Sequence, residues 1–279
     1  MRAGSSTTGL LGREPQLALL HAVLERARDD GAIAVVVGQA SIGKTSLVRA
    51  VAGRSGPRVG WGTCLDGGGA PGYWPWTQAL NALARTVGLA HARDTAGDDL
   101  ALLGVIVSAL GGQGNGSDGS VPLLLWDATA RWLHALAAQG PLLIVLDDLQ
   151  WADDSSLALF EFVSTSCQLP GVRVIGLHRP DELSAQAQER LSIVVSHADH
   201  IQLDGLDGDA VHSLVGRVLG ESATAELSAD IHRRSGGHPF FARELAHAAT
   251  SGVNGAFVAF AGCHAQTAAR TCGRSSSAS

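Results

Sequence analysis

The sequence predicts an α/β fold: a doubly wound parallel sheet with helices on both faces. Three observations carry the prediction. Short, continuous apolar runs rich in branched residues, AIAVVV (32–37), LLIVLDD (142–148) and VRVIGLHRP (172–180), read as strands buried on both sides. Helical patterns alternate with them, as in LLLWDATARWLHALAAQG (123–140) and LALFEFVSTSC (157–167). A glycine-rich loop, GQASIGKT (38–45), joins the first run to the helix after it.

Taken in order, residues 1–9 are small and polar and read as a disordered arm. REPQLALLHAVLERARDDG (13–31) reads as a helix: Pro15 suits a first turn, Leu17, Leu20 and Leu24 share a face, and Gly31 can end the segment. KTSLVRAVAG (44–53) is a helix stopped by Gly53, and RVGWGTC (58–64) a second strand. The stretch LDGGGAPGYWPWTQALNALARTVG (65–88) starts as loop and turns helical near Thr77. GGQGNGSDGS (111–120) reads as surface loop. Beyond residue 207 the pattern is helical, in GDAVHSLVGRVLG (208–220) and SADIHRRSGGHPFFARELAHAA (228–249). Residues 251–279 lose periodicity and drift into Ser, Ala and Gly, the composition of a poorly ordered tail.

Bulk composition narrows the function classes. Apolar residues make up 46% and charged residues 16% of 279, which fits a globular domain with a full core. A net charge of −6 with no basic run argues against nucleic-acid binding by this chain. No apolar stretch is long enough for a membrane span, and the N-terminus lacks the hydrophobic segment of a secretory signal. Cys64, Cys167, Cys263 and Cys272 are far apart, which points to a reducing, cytoplasmic setting; Cys263, His264 and Cys272 match no zinc spacing.

The loop satisfies G-x-x-x-x-G-K-[ST] at Gly38, Gly43, Lys44 and Thr45. Backbone N–H groups of Gly38, Gln39, Ala40, Ser41, Ile42, Gly43, Lys44, Thr45 and Ser46, aimed into a concave turn at a helix start, can bind phosphate oxygens. Lys44 would set a point charge on the β- and γ-phosphates of ATP, and the Thr45 hydroxyl would ligate Mg²⁺. Lys44 is the only lysine in the chain, the other 19 of 20 basic residues being arginine. Asp147 and Asp148 end a buried strand, where open α/β sheets place ligand sites. Asp147 is the candidate Mg²⁺ carboxylate, and Asp148 the candidate that orients or deprotonates the attacking water.

The stretches LLGREPQLALL, GQASIGKTSLV, GAPGYWPW, LLIVLDDLQWADDSSL, VRVIGLHRPDE and SGGHPFFARELA, in that order, cover roughly residues 10–248. They resemble the STAND branch of AAA+ type P-loop ATPases, and more narrowly the ATPase segment of large LuxR-type transcriptional activators and cyclase-linked regulators. The resemblance implies a P-loop core over 10–205 and the start of a helical lid over 206–250. It implies an acid-bearing strand beside the loop-bearing strand. It also implies that Arg13 lies over the adenine and ribose, that Arg179 senses the γ-phosphate, and that Pro239 packs near the adenine from the lid. A plainer reading stands beside each: Arg13 as a solvated cap residue, Arg179 paired with an acid such as Asp181, Pro239 as a helix opener. Trp74, Trp76 and Trp151 read as core or interface aromatics. Gln39 and Ser41 replace the family's usual Glu and Gly; a serine costs more than glycine if the backbone there needs positive φ.

The function expected is Mg-ATP binding with slow hydrolysis used as a switch, catalysed by Asp148, Lys44 and Arg179. ATP and ADP are the expected ligands, with self-association or a regulatory protein partner left open. A non-hydrolysing nucleotide scaffold and a DNA-acting relative of replication initiators are the alternatives. Relatives of this type continue into a winged-helix lid and helical repeats, so a truncated or frameshifted product is expected, testable by sequencing the DNA beyond codon 250.

Overall fold

A computed structural model describes residues 10–26, 31–53, 58–67, 69–111, 122–166 and 168–250. The expected arm (1–9), most of the glycine-rich loop (112–120), the tail (251–279), and Cys167, Cys263 and Cys272 lie outside the described residues. The elements run α1 (Glu14–Arg26), β1 (Ala32–Gly38), α2 (Lys44–Ala52), β2 (Arg58–Thr63), α3 (Trp74–Val87), α4 (Leu89–Ala96), α5 (Leu100–Leu103), α6 (Pro122–Ala137), β3 (Leu142–Asp147), α7 (Asp154–Ser166), β4 (Val172–His178), α8 (Ala185–Ser196), β5 (Asp199–Leu203), α9 (Gly208–Leu219), α10 (Ala225–Ser235) and α11 (Pro239–Thr250). The described residues form two compact units that divide between Asp204 and Gly205.

In the first unit all strand pairings are parallel and the sheet order is β2-β3-β4-β1-β5. Helices cover both faces, giving the α/β P-loop fold that the apolar runs predict. One face carries α1 and α2, through Leu20, Leu24, Leu47 and Val51 against Val36, Val145 and Ile175. The other carries α3, α6, α7 and α8, through Leu80, Leu133, Phe160 and Leu191 against Val37, Ile144 and Val174. The connection leaving β1 runs over one face, and those leaving β2, β3 and β4 over the other. That reversal at β1 opens a crevice at the carboxyl end of the strands.

The sheet order corrects one expectation. The acid-bearing strand β3 is not beside β1, because β4 stands between them. From β1 the chain crosses to the far edge at β2, and β3 and β4 then fill the sheet back toward β1 by further crossovers. All seven residues of β4 are buried, as a strand with neighbours on both sides requires.

Two further elements differ from the sequence reading. Helix α3 starts at Trp74, with Pro75 in its first turn, and not near Thr77. It lies directly on β2, where Gly60 and Gly62 face the Ala79 and Pro75 carbonyls; a Cβ at either position would overlap them. The strand β5 has no continuous apolar run: its sequence is DHIQL, and only Ile201 and Leu203 are buried, as suits an edge strand.

The second unit is a three-helix cluster. Leu206, Val211, Val215, Ile231, Ala242 and Ala246 form its core. Asp207 and Thr224 cap α9 and α10 by accepting from the Ala210 and Leu227 N–H groups. The helical run after residue 228 breaks at Gly236 and Gly237, both left-handed, into α10 and α11.

Candidate functional site

The loop between β1 and α2 is a tight turn built on two left-handed residues, Ser41 (φ 56°) and Gly43 (φ 108°). The Ile42 N–H reaches back to the Gln39 carbonyl, and the Leu47 N–H to the Gly43 carbonyl, which starts α2. Gln39, Ala40 and Ser41 are exposed, and Ser46 is exposed one turn into the helix. No side chain caps α2, so its first-turn N–H groups face the loop with the positive end of the helix dipole. Lys44 is buried and its Nζ donates to the Gly38 and Gln39 carbonyls, both at 2.9 Å, across the mouth of the loop. Burial pushes its ammonium below the usual lysine range, and the charge of Arg179 adds to that. Attraction to Asp148, Asp147 and Glu182 opposes the shift. An anion placed there would restore the charged form.

The end of β3 meets this loop across β4. Thr45 Oγ1 donates to Asp147 Oδ2 at 3.0 Å. Asp147 is buried, and burial raises its pKa; the Thr45 hydroxyl bond and the Asp148 N–H on Oδ1 at 3.0 Å both oppose that rise. A hydroxyl and a carboxylate in contact form a hard-oxygen donor pair that would suit Mg²⁺. With the ammonium of Lys44 and the free N–H groups of α2, the chemistry of the donor set fits a magnesium-bound nucleoside triphosphate.

Asp148 takes a left-handed backbone (φ 57°). Its Oδ1 accepts from Gln150 Nε2 at 2.9 Å and meets Arg179 Nη2 at 3.5 Å. Arg179 follows β4 and pairs through Nη1 with both Glu182 oxygens at 2.9 and 3.0 Å. Its guanidinium also lies 4.9 Å over the Trp151 ring. Its ion-pair partners are therefore Glu182 and Asp148, and not Asp181. Trp151 is half-buried beneath Arg179, while Trp76 is fully buried and donates Nε1–H to the Ser156 carbonyl at 3.0 Å. Next to Arg179, His178 is buried at the end of β4, and its Nδ1 has no hydrogen-bond partner among the described residues. Burial lowers its pKa to about 4, the Arg179 backbone opposes that shift, and Lys44 and His200 add to it.

Arg13 is buried, which removes the reading of a solvated cap. Its Nη2 donates to the Ile42 carbonyl at 3.2 Å and to the Asp204 carbonyl at 2.8 Å, strapping the loop to the end of the first unit. Pro239 lies in the second unit and opens α11. The structure thus gathers Lys44, Thr45, Asp147, Asp148, Arg179 and Arg13 around one loop. Gln150, the buried turn residue that bonds both Asp148 and the Arg179 N–H, had no role in the sequence reading. The sign available was a polar residue set between Leu149 and Trp151 directly after the acid pair.

Among the described residues no helix is long and apolar enough to cross a membrane. No curated protein matches the chain. Among solved structures it is similar to a Signal Transduction ATPase with Numerous Domains (STAND) protein with a tetratricopeptide repeat sensor from Pyrococcus horikoshii. That match has 17% identity and a TM-score of 0.49, covering 82% of this chain and 28% of that one. A RuvB mutant from Thermotoga maritima matches at 12% identity and TM-score 0.44, over 85% and 62% of the two chains. The ORC1 protein from Aeropyrum pernix, solved in complex with DNA, matches at 17% identity and TM-score 0.45, over 86% and 59%. The chain thus spans less than two thirds of each of these three proteins. Residues 9–175, more than half of the sequence, match the family model of the AAA ATPase domain, and the chain belongs to that family.

Proposed function

We propose that the chain binds Mg-ATP at the loop 38–46 and hydrolyses it slowly, as a conformational switch. The observation that carries this reading is the 3.0 Å contact of Thr45 Oγ1 with Asp147 Oδ2, with the chain's one lysine folded over the loop beside it. The α2 N–H groups and Lys44 hold the phosphates, and Thr45 with Asp147 holds the metal. Magnesium, when bound, neutralises charge on the β- and γ-phosphate oxygens. Asp148 takes the proton of the attacking water as its oxygen bonds the γ-phosphorus; the bond to the β–γ bridging oxygen breaks, and ADP leaves with that electron pair. Arg179 turns from Glu182 toward the γ-phosphate. Arg13 serves this reading as the strap that fixes the loop, in addition to any contact with the ribose.

A second reading, a nucleotide-holding scaffold that does not turn over, is favoured by one observation: Gln150 and Arg179 already engage Asp148 Oδ1. Titration of the protein with labelled ATP and ADP, with and without magnesium, combined with phosphate release, separates the two. Lys44→Ala abolishes nucleotide affinity under both readings. Asp148→Asn keeps binding and lowers phosphate release roughly a hundredfold or more under the first. Wild-type protein that binds ATP and releases no phosphate above buffer establishes the scaffold.

The quoted motifs support a cytoplasmic ATPase segment of a LuxR-type regulator, one that acts through self-association or a protein partner. The acidic net charge counts against direct DNA binding, and a salt-dependent shift of duplex DNA by the protein would reverse that judgement.

A further inference from the structure

Gln150 occupies the short turn Leu149–Trp151 that follows β3, and only 6% of it is exposed. A buried primary amide has to find partners for both of its ends. Here Nε2 donates to Asp148 Oδ1 at 2.9 Å, and Oε1 accepts from the Arg179 N–H at 3.2 Å. The amide has one workable orientation, because turning it over would set oxygen against carboxylate and N–H against N–H. The side chain therefore bridges the carboxyl ends of β3 and β4.

The consequence falls on Asp148. Its backbone is left-handed, a region uncommon for non-glycine residues that aspartate tolerates better than most. Gln150 and Arg179 both take Oδ1, and Oδ2 has no hydrogen-bond donor among the described residues. With the side chain 24% exposed, Oδ2 is open to water. One oxygen is anchored and the other is presented.

We propose that Gln150 is a positioning residue for the hydrolysis described above, an inference that rests on that reading. It fixes the bearing of the Asp148 carboxylate through Nε2 and ties that bearing to Arg179 through Oε1. An arginine drawn toward a γ-phosphate and a carboxylate aimed at water are thereby kept in register.

Two substitutions separate the two bonds. Gln150→Leu removes both with little change in volume. Gln150→Glu keeps the acceptor for the Arg179 N–H and replaces the donor to Asp148 with a second negative charge. Two measurements are needed: amide hydrogen exchange at Arg179 in the nucleotide-free protein, and kcat with KM for Mg-ATP. Gln150→Leu is expected to speed Arg179 exchange roughly tenfold and to lower kcat at least roughly tenfold, with KM within about threefold of wild type. Gln150→Glu is expected to leave Arg179 protected and still lose kcat, regaining part of it as the pH is lowered and the new carboxyl becomes a donor.

Wild-type kcat in Gln150→Glu overturns the positioning role, even where Gln150→Leu fails to fold. So does a Gln150→Leu protein whose kcat is unchanged. Wild-type phosphate release no higher than buffer overturns the hydrolase reading itself, equal release above buffer by wild type and Asp148→Asn removes Asp148 as the base, and the positioning role falls with either. A loss confined to protection at Arg179 in Gln150→Leu, with kcat intact, leaves the hydrolase reading standing and removes only this inference.

Discussion

Ser41 carries a cost that the loop would not bear with glycine. Its φ of 56° places a Cβ in the left-handed region, as the replacement of the family's glycine by serine led one to expect. Ser41→Gly is therefore expected to stabilise the protein by about 1 kcal/mol, read as a higher urea midpoint with an unchanged slope. A lower midpoint would mean that the serine hydroxyl gives back more than its backbone loses. The loop residues were legible in the sequence because the G-x-x-x-x-G-K-[ST] pattern is local: its glycines, lysine and threonine fall within eight positions. Arg13 and Gln150 were not legible in the same way. The contacts of Arg13 join residues 29 and 191 positions apart, and those of Gln150 depend on which strand β4 lies beside. Arg179 was placed correctly at a strand end, but its acid was misjudged, because Glu182 follows one short turn later and presents both oxygens to it.

At the scale of elements, buried strands announced themselves and the edge strand did not. β1, β3 and β4 are apolar because both their faces are covered, whereas β5 needs only Ile201 and Leu203. Strand order is harder still, since it depends on crossovers that leave no local mark, and so the insertion of β4 between β1 and β3 had to come from the structure. Packing of α3 on β2 gives a sharp test. Gly62 faces the Pro75 carbonyl so closely that any Cβ there must drive the helix away from the strand. Gly62→Ala is expected to cost roughly 2–4 kcal/mol, measured by denaturant unfolding, from overpacking against a backbone atom that cannot rotate aside. Gly43→Ala strains only the backbone, since open space surrounds its missing Cβ, and is expected to cost less in stability.

For the whole molecule, acid is expected to act through His178. The unfolded chain takes up a proton there near pH 6.5, whereas the folded chain resists until about pH 4. Across that window the unfolded state binds more protons, so stability falls as the pH drops, by on the order of 3 kcal/mol once both pKa values are passed. Asp147 works in the opposite sense, because its raised pKa lets the folded state accept a proton first. Comparing wild type with His178→Leu cancels that contribution. Between pH 7 and 4.5 the melting temperature of the wild type should fall further than that of the variant, and parallel curves would show that His178 is already charged in the folded protein.

The solitary lysine turns the site into its own chemical reporter. Apart from the α-amino group at the chain start, one ε-amine exists for an acylating reagent to find, and it sits over the loop 38–46. Intact-mass spectrometry after brief treatment with an amine-selective label would count that single event, and added ATP should slow it.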